Sequence, residues 1–329
     1  MERLIPALSA ADDALSRLDE RVRVCAYRAG WAARYDFLEA VAFGWNSGFV
    51  APLEDLILHD ESMDVRMPDE ALRAAHGLVR ARRKAAQGDR ALLSPAGAAW
   101  LAGRRRRAPS PPPAEASSRL EDDGAVLSAL VARLELLRAG VTEGPDAAVA
   151  EWLSLLALND PRLPAALQAA AALEGWRIVQ PYAREAYVGP LLVAVWLRER
   201  RRVRHLLLGL ESGVRTVTRK TRASSALPLA ERIVFWLAVI AESAGEAAET
   251  LNRLELARQV AVSRIGERRA HSRLGKLVEL MLSRPVVSAP LVAQRLKVSP
   301  QSARRLLAEL GGAVTEVSGQ ARFRAWRLG

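Results

Sequence analysis

The sequence predicts a mostly α-helical chain that ends in a winged helix-turn-helix with a small β-hairpin wing. Half of its 329 residues are apolar and only 5% are aromatic, and the abundance of Ala, Leu and Arg favours helices over sheets. Apolar residues recur at helical spacing along most of the chain. Near the C-terminus, two helix-starting patterns of serine and proline stand eleven residues apart and precede two short alternating segments.

The helix-turn-helix pattern begins at Ser288. This serine can cap a helix over Ala289–Leu296, and Ser299 can cap a second helix that runs to about Leu310. Each helix has a proline in its first turn, where the missing N–H costs nothing. Lys297-Val298 makes the turn between them, and two glycines end the second helix.

The second helix is predicted to recognise DNA. Its buried face follows three-and-four spacing and consists of Ala303, Leu306, Leu307 and Leu310. The outward residues are Gln301, Ser302, Arg304, Arg305 and Ala308. Gln and Arg can pair with adenine and guanine edges, Ser can reach a phosphate, and recognition helices read bases mostly from their N-terminal turns. We therefore predict DNA-binding residues at Ser299, Gln301, Ser302, Arg304 and Arg305.

A β-hairpin is predicted after this helix, with strands at Ala313–Val317 and Arg322–Trp326 around Ser318-Gly319-Gln320. Alternation places Arg322 and Arg324 on one face of the wing. Gln320, Arg322 and Arg324 therefore join the predicted DNA-binding residues, with wing contacts mostly to phosphate or minor groove.

The charge distribution supports double-stranded DNA as the partner. From Ser263 to Gly329 the chain carries 13 Lys and Arg against 4 Glu, a net +9 of the total +11. Neutralisation of phosphates supplies most of the non-specific affinity for DNA. The alternative is a winged helix used only for protein contact, whose arginines form a solvated face.

Composition limits the remaining possibilities. A single cysteine, Cys25, excludes an internal disulfide framework, and the four histidines are not spaced as ligand pairs. We predict no catalytic residue, cofactor or metal ion. The longest apolar runs fall short of the ~20 residues of a membrane span, and acids stand where a signal peptide needs a basic region. The expected location is the cytoplasm.

Four parts are predicted along the chain. Residues 1–102 form the N-terminal helical part of the body, 103–123 a Pro- and Arg-rich linker, 124–262 the helical core, and 263–329 the winged helix-turn-helix. The linker has almost nothing to bury, which is the reason for separating it. The alternative is a surface loop with a basic patch.

Within the body, the nearly all-apolar Pro190–Glu199 is predicted to be the centre of the core. Two further helices, Leu227–Ala244 and Ala247–Arg269, complete it. The basic residues of Arg80–Lys84 are interpreted as a solvated helix end, and those of Arg198–Arg222 as a solvated helix end followed by a basic loop. A phosphate-binding surface is the alternative for both.

Two segments of the body resemble the Fic fold, whose active members transfer AMP to target hydroxyls. Trp176–Leu210 is similar to the region where Fic proteins carry an HPF-x-x-GN-G-R-type loop between two helices. Leu38–Leu58 is similar to the segment that carries an inhibitory glutamate before a glycine. The resemblance implies a Fic-like helical body.

The residues that Fic chemistry needs are replaced in this chain. Gln180 stands where the loop histidine acts as general base, and an amide has no titratable group near neutral pH. Tyr187 and Val188 fill the phosphate cradle, where glycine permits close backbone approach, while Gly189 looks retained. Ser47-Gly48 replaces the inhibitory pair. The resemblance therefore implies a catalytically inactive body.

The layout as a whole resembles a family of uncharacterised bacterial proteins that are frequent on rhizobial plasmids. The resemblance rests on Leu53–Pro68, Val188–Arg200, Arg284–Leu310 and Phe323–Trp326, and it covers nearly the whole chain. The biochemical role of that family is not established. Its members combine a Fic-like helical body with a C-terminal helix-turn-helix, so the resemblance implies architecture.

We therefore predict a cytoplasmic DNA-binding protein, most simply a transcriptional regulator, whose body serves ligand sensing, dimerisation or partner contact. Two alternatives stay open: a nucleotide-handling enzyme that uses the Fic-like body, and a structural DNA-binding protein of a mobile element. A homodimer is left open as well, and the sequence does not identify a small-molecule effector.

Overall fold

The computed structural model describes residues 2–63, 67–105, 107–109, 123–140, 143–158, 163–221, 226–266, 273–317 and 324–329. These residues contain fourteen α-helices and one antiparallel sheet of three strands. The predicted mostly α-helical class with a small C-terminal sheet is confirmed. Most of the predicted linker lies outside the described residues. In the described ranges, no helix combines the length and apolar character that a bilayer span requires.

The helices that precede the C-terminal part are α1 Leu4–Val24, α2 Arg28–Asn46, α3 Leu53–Asp60, α4 Glu70–Gln87, α5 Pro95–Leu101, α6 Asp123–Ala139, α7 Pro145–Ala157, α8 Ala165–Val179, α9 Val188–Glu199, α10 Glu211–Lys220 and α11 Leu229–Ile265. They are followed by α12 Arg273–Ser283, β1 Val287–Ser288, α13 Ala289–Leu296, α14 Pro300–Leu310, β2 Val314–Glu316 and β3 Ala325–Leu328. Short 3-10 turns lie at Arg90–Leu92 and Gly311–Ala313.

The chain forms two compact units. The first unit comprises Met1–Arg23 and Gly77–Glu246, and the second unit comprises Val24–His76 and Ala247–Gly329. Each unit is therefore built from two stretches that are far apart in the sequence. The four-part division made from the sequence stays a prediction.

Helix α9 lies in the core of the first unit. From Leu191 to Leu197 every side chain is buried, which confirms the prediction made for Pro190–Glu199. At its start, Gly189 lies against the indole ring of Trp176 in α8, where a Cβ on Gly189 would be 2.1 Å from the ring. Close approach of two helices explains this glycine without any role in binding phosphate.

Two arginines of the basic stretches are structural. Arg82 is only 3% exposed, and its guanidinium donates to the carbonyl oxygen of Leu207 at 2.9 Å. Arg198 donates to the carbonyl oxygens of Ala85 and Gly88 at 3.0 and 2.6 Å, at the C-terminal end of α4, where a cation complements the helix dipole. The interpretation of these two residues as parts of solvated helix ends is wrong. The N–H groups of both arginines instead donate to backbone carbonyls that are distant in the sequence.

The predicted basic loop after Arg198 is also partly helical. Glu211–Lys220 forms α10, and Gly213 lets it pack closely on α11. A Cβ on Gly213 would lie 2.1 Å from the Ser243 hydroxyl oxygen and 2.3 Å from the Val239 carbonyl oxygen. This helix was not predicted because its residues are mostly polar.

A buried carboxylate in the first unit is fully paired. Glu174 is completely buried and accepts hydrogen bonds from Arg232 at 2.6 Å, Trp236 at 3.0 Å and Arg177 at 2.7 Å. Burial raises the pKa of Glu174, but the hydrogen bonds from Arg177 and Trp236 outweigh it and leave the pKa below its usual value. Glu174 therefore ties α8 to α11 as an ion.

Helix α11 is a single helix of 37 residues, so the prediction of two helices at Leu227–Ala244 and Ala247–Arg269 is wrong. Gly245 lies inside it, with no atom within 4 Å of its Cβ position. One glycine costs a helix only about 1 kcal/mol, and apolar residues continue on both sides of it. Helix α11 therefore supplies residues to each of the two units.

In the second unit, α2 packs on the second half of α11. The Trp31 indole N–H donates to the Thr250 hydroxyl oxygen at 2.9 Å, and the Tyr27 hydroxyl donates to Glu255. Hydrogen bonds from Arg258 and Tyr27 lower the pKa of Glu255 to about 2. These contacts join the start of α2 to the part of α11 that precedes the helix-turn-helix in the sequence.

Candidate nucleic-acid interface

The first helix of the C-terminal part, α12, packs on α2. Its buried residues are Leu274, Leu277, Val278, Met281 and Leu282. Sequence reasoning did not separate this helix, although the three-and-four spacing of these residues is a helical signal. The helix matters because it forms the platform on which the next two helices lie.

Arg34 of α2 holds the C-terminal end of α12. Its guanidinium donates to the carbonyl oxygens of Leu282 at 3.0 Å, Arg284 at 2.5 Å and Met281, and also to Gly30 in its own helix at 2.7 Å. The last carbonyls of a helix have no partner within the helix. Arg34 satisfies them with a cation, and burial lowers the pKa of Arg34 to about 10.

Gly30 makes this arrangement sterically possible. A Cβ at Gly30 would lie 1.8 Å from the carbonyl oxygen of Leu282, well inside van der Waals contact. Only glycine therefore lets the backbone of α2 approach the end of α12 so closely.

The helix-turn-helix itself follows the prediction. Ser288 accepts a hydrogen bond from the Leu291 N–H at 3.4 Å, and Ser299 accepts one from the Ser302 N–H at 3.1 Å. Lys297 adopts the left-handed conformation with φ of 53° and makes the turn between α13 and α14. The predicted helices at Ala289–Leu296 and from Ser299 to Leu310 are confirmed.

Helix α14 is buried on one side and exposed on the other. Ala303, Leu307 and Leu310 are buried and Leu306 is half-buried. The exposed residues include Gln301, Arg304, Arg305 and Ala308, and Ser302 is half-buried. The predicted inward and outward faces are confirmed, so the N-terminal turns of α14 present an amide and two guanidinium groups to solvent.

The polar residues of α14 differ in their partners. Arg305 pairs with Glu309 at 3.1 Å while its side chain stays 83% exposed. Arg304 forms no hydrogen bond or ion pair with any residue in the described part of the chain. The Ser299 hydroxyl also donates to the Ser302 hydroxyl at 2.9 Å, so both serines are engaged in the cap. Among the described residues Arg304 has no partner, so its guanidinium can bind a ligand without first breaking an ion pair.

The C-terminal end of α14 meets a further cation. Gly311 has a φ of 50°, and a Cβ on Gly311 would lie 3.0 Å from a guanidinium nitrogen of Arg264. A Cβ on Gly312 would be 3.1 Å from the same guanidinium. The two glycines therefore end the helix, as predicted, and their lack of a Cβ leaves room for the Arg264 guanidinium beside them.

The sheet differs from the predicted hairpin. Its strand order is β1-β3-β2, with Val287 opposite Trp326 and Glu316 also opposite Trp326. The first predicted strand is confirmed, but the second lies at Ala325–Leu328 rather than Arg322–Trp326. Strand β1 was not predicted, because two residues before a helix carry no periodic signal and pair only with a distant strand.

The wing places Arg324 beside Glu316. The Arg324 Nε donates to a Glu316 carboxylate oxygen at 2.8 Å and its Nη2 donates to the other oxygen. The guanidinium carbon lies 5.4 Å from the centre of the Trp326 ring. The hydrogen bonds to Glu316 raise the pKa of Arg324. Gln320 and Arg322, the other predicted wing residues, lie outside the described residues.

Three helices, the third of them capped by Ser299 and followed by a small antiparallel sheet, define a winged helix-turn-helix. A family model described as "HTH DNA binding domain" matches residues 274–328. The chain thus carries a helix-turn-helix DNA-binding domain, as the sequence predicts.

The chain belongs to the family of the uncharacterized protein y4cF of Sinorhizobium fredii (strain NBRC 101917 / NGR234). The two are 32% identical over 363 aligned positions, which cover 94% of this chain and 93% of that protein. The predicted resemblance to a family of uncharacterised rhizobial proteins is confirmed.

A second family model, described as "Protein of unknown function (DUF1612)", matches residues 144–266 in the body. Among solved structures, a Fic family protein from Desulfovibrio desulfuricans G20 aligns over 100% of this chain and 96% of its own, with 12% identity and a TM-score of 0.48.

Proposed function

We propose that this protein is a transcriptional regulator that binds double-stranded DNA through α14 and the wing. The observation that carries the proposal is the exposed N-terminal half of α14, where Gln301 and Arg304 stand outward on a capped, packed helix. Gln matches the adenine edge and Arg matches the guanine edge in the major groove. The proposal assigns base reading to these two residues.

The charge of the C-terminal part supports the proposal. The excess of nine positive charges between Ser263 and Gly329 suits a polyanion, and the helix-turn-helix family match supports DNA as that polyanion. Ser302 and Arg305 are proposed to lie near phosphates, although Arg305 must exchange or share its partner Glu309 to do so. Gln320 and Arg322 are also proposed to contact DNA.

The full chain is the right material for the test, because Arg34 and Gly30 lie more than two hundred residues before the helix-turn-helix that they support. We expect the full chain to bind duplex DNA with an affinity that falls steeply as salt increases. Titration against a labelled duplex at four salt concentrations measures the slope. Absence of binding even at low salt would remove the proposal.

A matched pair of variants locates the surface. Arg304→Glu reverses a charge on α14, while Arg295→Glu reverses one on the exposed side of α13. We expect the first to abolish binding to a duplex selected by the protein and the second to weaken it less. Equal effects would mean that α14 has no privileged role.

Genome-wide chromatin capture separates a regulator from a structural DNA-binding protein of a mobile element. A regulator concentrates at a small number of sites upstream of genes. A structural protein spreads along the element that encodes it. We expect the first pattern, because α14 offers base-reading side chains as well as cations.

The body is proposed to serve sensing, dimerisation or partner contact rather than catalysis. Gln180 ends α8 in the left-handed conformation with φ of 42°, and its amide cannot act as a general base near neutral pH. Incubation with labelled ATP and magnesium should leave both the protein and its co-purifying partners unlabelled. Labelling that disappears in the Tyr182→Ala variant would favour the nucleotide-handling enzyme instead.

A further inference from the structure

We infer that Glu316 is a positioning residue that holds Arg324 as a donor to neutral base acceptors of DNA, so that the wing reads bases rather than phosphates. The inference rests on the proposed function, since it assumes that the winged helix-turn-helix binds duplex DNA. It changes the role of the wing arginine that the sequence predicts.

Among the described residues, the pair leaves one specific edge of Arg324 without a hydrogen-bond partner. A guanidinium has five N–H donors, arranged so that Nε and Nη2 form one fork and Nη1 and Nη2 form another. Glu316 occupies the first fork, with the Nε bond at 2.8 Å. Nη1 makes no hydrogen bond within the part of the chain that the structure describes. As far as the described residues show, the second fork can therefore receive two adjacent acceptors.

The surroundings restrict how the side chain can move. Arg324 lies on the strand register diagonal to Glu316, because Glu316 is directly opposite Trp326 and Arg324 is two residues before it. The guanidinium carbon is 5.4 Å from the Trp326 ring centre, within the range of a cation–π contact. Glu316 is the less exposed partner, at 28% against 54% for Arg324. A mostly covered carboxylate and an aromatic ring thus limit the directions in which the second fork can point.

Electrostatics favours a neutral acceptor over a phosphate. A phosphate against the second fork would lie roughly 4 Å from the guanidinium carbon and about 8 Å from the Glu316 carboxylate, so the carboxylate would cancel about half of the attraction. Hydrogen bonds to uncharged acceptors, such as O6 and N7 of guanine, suffer no such repulsion. A restrained fork also costs less side-chain entropy on binding. The pair is therefore suited to bases.

Arg305 provides the internal contrast. It pairs with Glu309 through Nε at 3.1 Å but keeps 83% of its side chain exposed, and no aromatic contact is present for it among the described residues. That pair lies in one helix turn, where exposed ion pairs hold side chains only weakly. Glu309→Gln is thus a matched control for Glu316→Gln, with the same chemical change at an unconstrained arginine.

The experiment uses the full chain, a duplex selected from a randomised pool by the wild-type protein, and a scrambled duplex of equal length. We expect Glu316→Gln to weaken binding to the selected duplex by roughly fivefold or more and to leave binding to the scrambled duplex within about twofold, since the net charge of the wing becomes more positive. Glu309→Gln should not reduce the ratio of the two affinities. In an Arg324→Ala background, Glu316→Gln should no longer change that ratio.

Two results would overturn the inference. One is a Glu316→Gln variant that binds both duplexes more tightly by the same factor, with a salt slope steeper by about one unit, which would make Arg324 a phosphate contact restrained by Glu316. The other is a loss of selected-site affinity that persists undiminished in the Arg324→Ala background, which would assign Glu316 a purely structural role. If the wild-type protein bound neither duplex, the proposed function itself would be refuted.

Discussion

Replacement of Arg34 by methionine tests whether the end of α12 depends on a side chain from α2. Arg34 donates to three carbonyl oxygens at the end and exit of α12, those of Met281, Leu282 and Arg284. Methionine keeps much of the apolar stem and removes every donor. We expect the second unit to lose stability and the helix-turn-helix to lose its platform.

The magnitude follows from the number and kind of bonds. A hydrogen bond from a charged group contributes about 1.5–3 kcal/mol net, so three of them suggest roughly 4–9 kcal/mol as an upper range. Two effects reduce this value. Burial lowers the pKa of Arg34, which means that holding the charge costs part of the gain, and water can reach carbonyls freed at a helix end. We expect a loss of about 3 kcal/mol, below the ~4–5 kcal/mol that single substitutions rarely exceed.

Urea denaturation of the full chain, followed by tryptophan fluorescence, measures this loss, because Trp31 lies in the same helix as Arg34. Arg28→Met is the matched control: the same substitution in α2 at an exposed residue, where we expect less than about 0.5 kcal/mol. Affinity for a selected duplex should fall in the Arg34 variant and stay unchanged in the control. Equal stability of the two variants would refute the argument that Arg34 supports α12.

Three further predictions concern other parts of the molecule. Arg304→Ala should cost about 1–3 kcal/mol of binding free energy on a selected duplex and much less on a scrambled one, and equal losses on both in a binding titration would reduce α14 to a phosphate anchor. Gly189→Ala should destabilise the first unit by about 1–3 kcal/mol, because its Cβ would lie 2.1 Å from the Trp176 ring. Gly245→Ala has open space at its Cβ and should be neutral or stabilise the protein by up to about 1 kcal/mol. Thermal unfolding of both variants measures the difference. The lowered pKa of Glu174 contributes stability that is fully present above the usual carboxyl pKa of 4.5 and is lost as pH falls through the folded-state pKa. The free energy of unfolding, measured from pH 7 to pH 3, should therefore fall more steeply in the wild type than in Glu174→Gln.

Much of the candidate interface could be predicted from the sequence because its determinants are local. Ser288 and Ser299 cap their helices through N–H groups three residues away, and the spacing of Ala303, Leu307 and Leu310 sets the buried side of α14. Caps and helical periodicity act over three or four residues, so both members of each interacting pair stand close together in the sequence. The exposed positions of Gln301 and Arg304 follow from the same spacing.

Only the tertiary structure decided which basic side chains can bind DNA and which are bound to other groups of the protein. Arg34, Arg82 and Arg198 read as ordinary basic residues, yet each is held by backbone carbonyls that lie between 110 and 250 positions away. The pairing of Arg324 with Glu316 depends on the register of β2 and β3, and the alternating pattern predicted the second strand at Arg322–Trp326 instead of Ala325–Leu328. A hydrogen-bond donor and an acceptor far apart in sequence leave no periodic trace, because their proximity is produced by the packing of whole helices and strands rather than by the dihedral preferences of neighbouring residues.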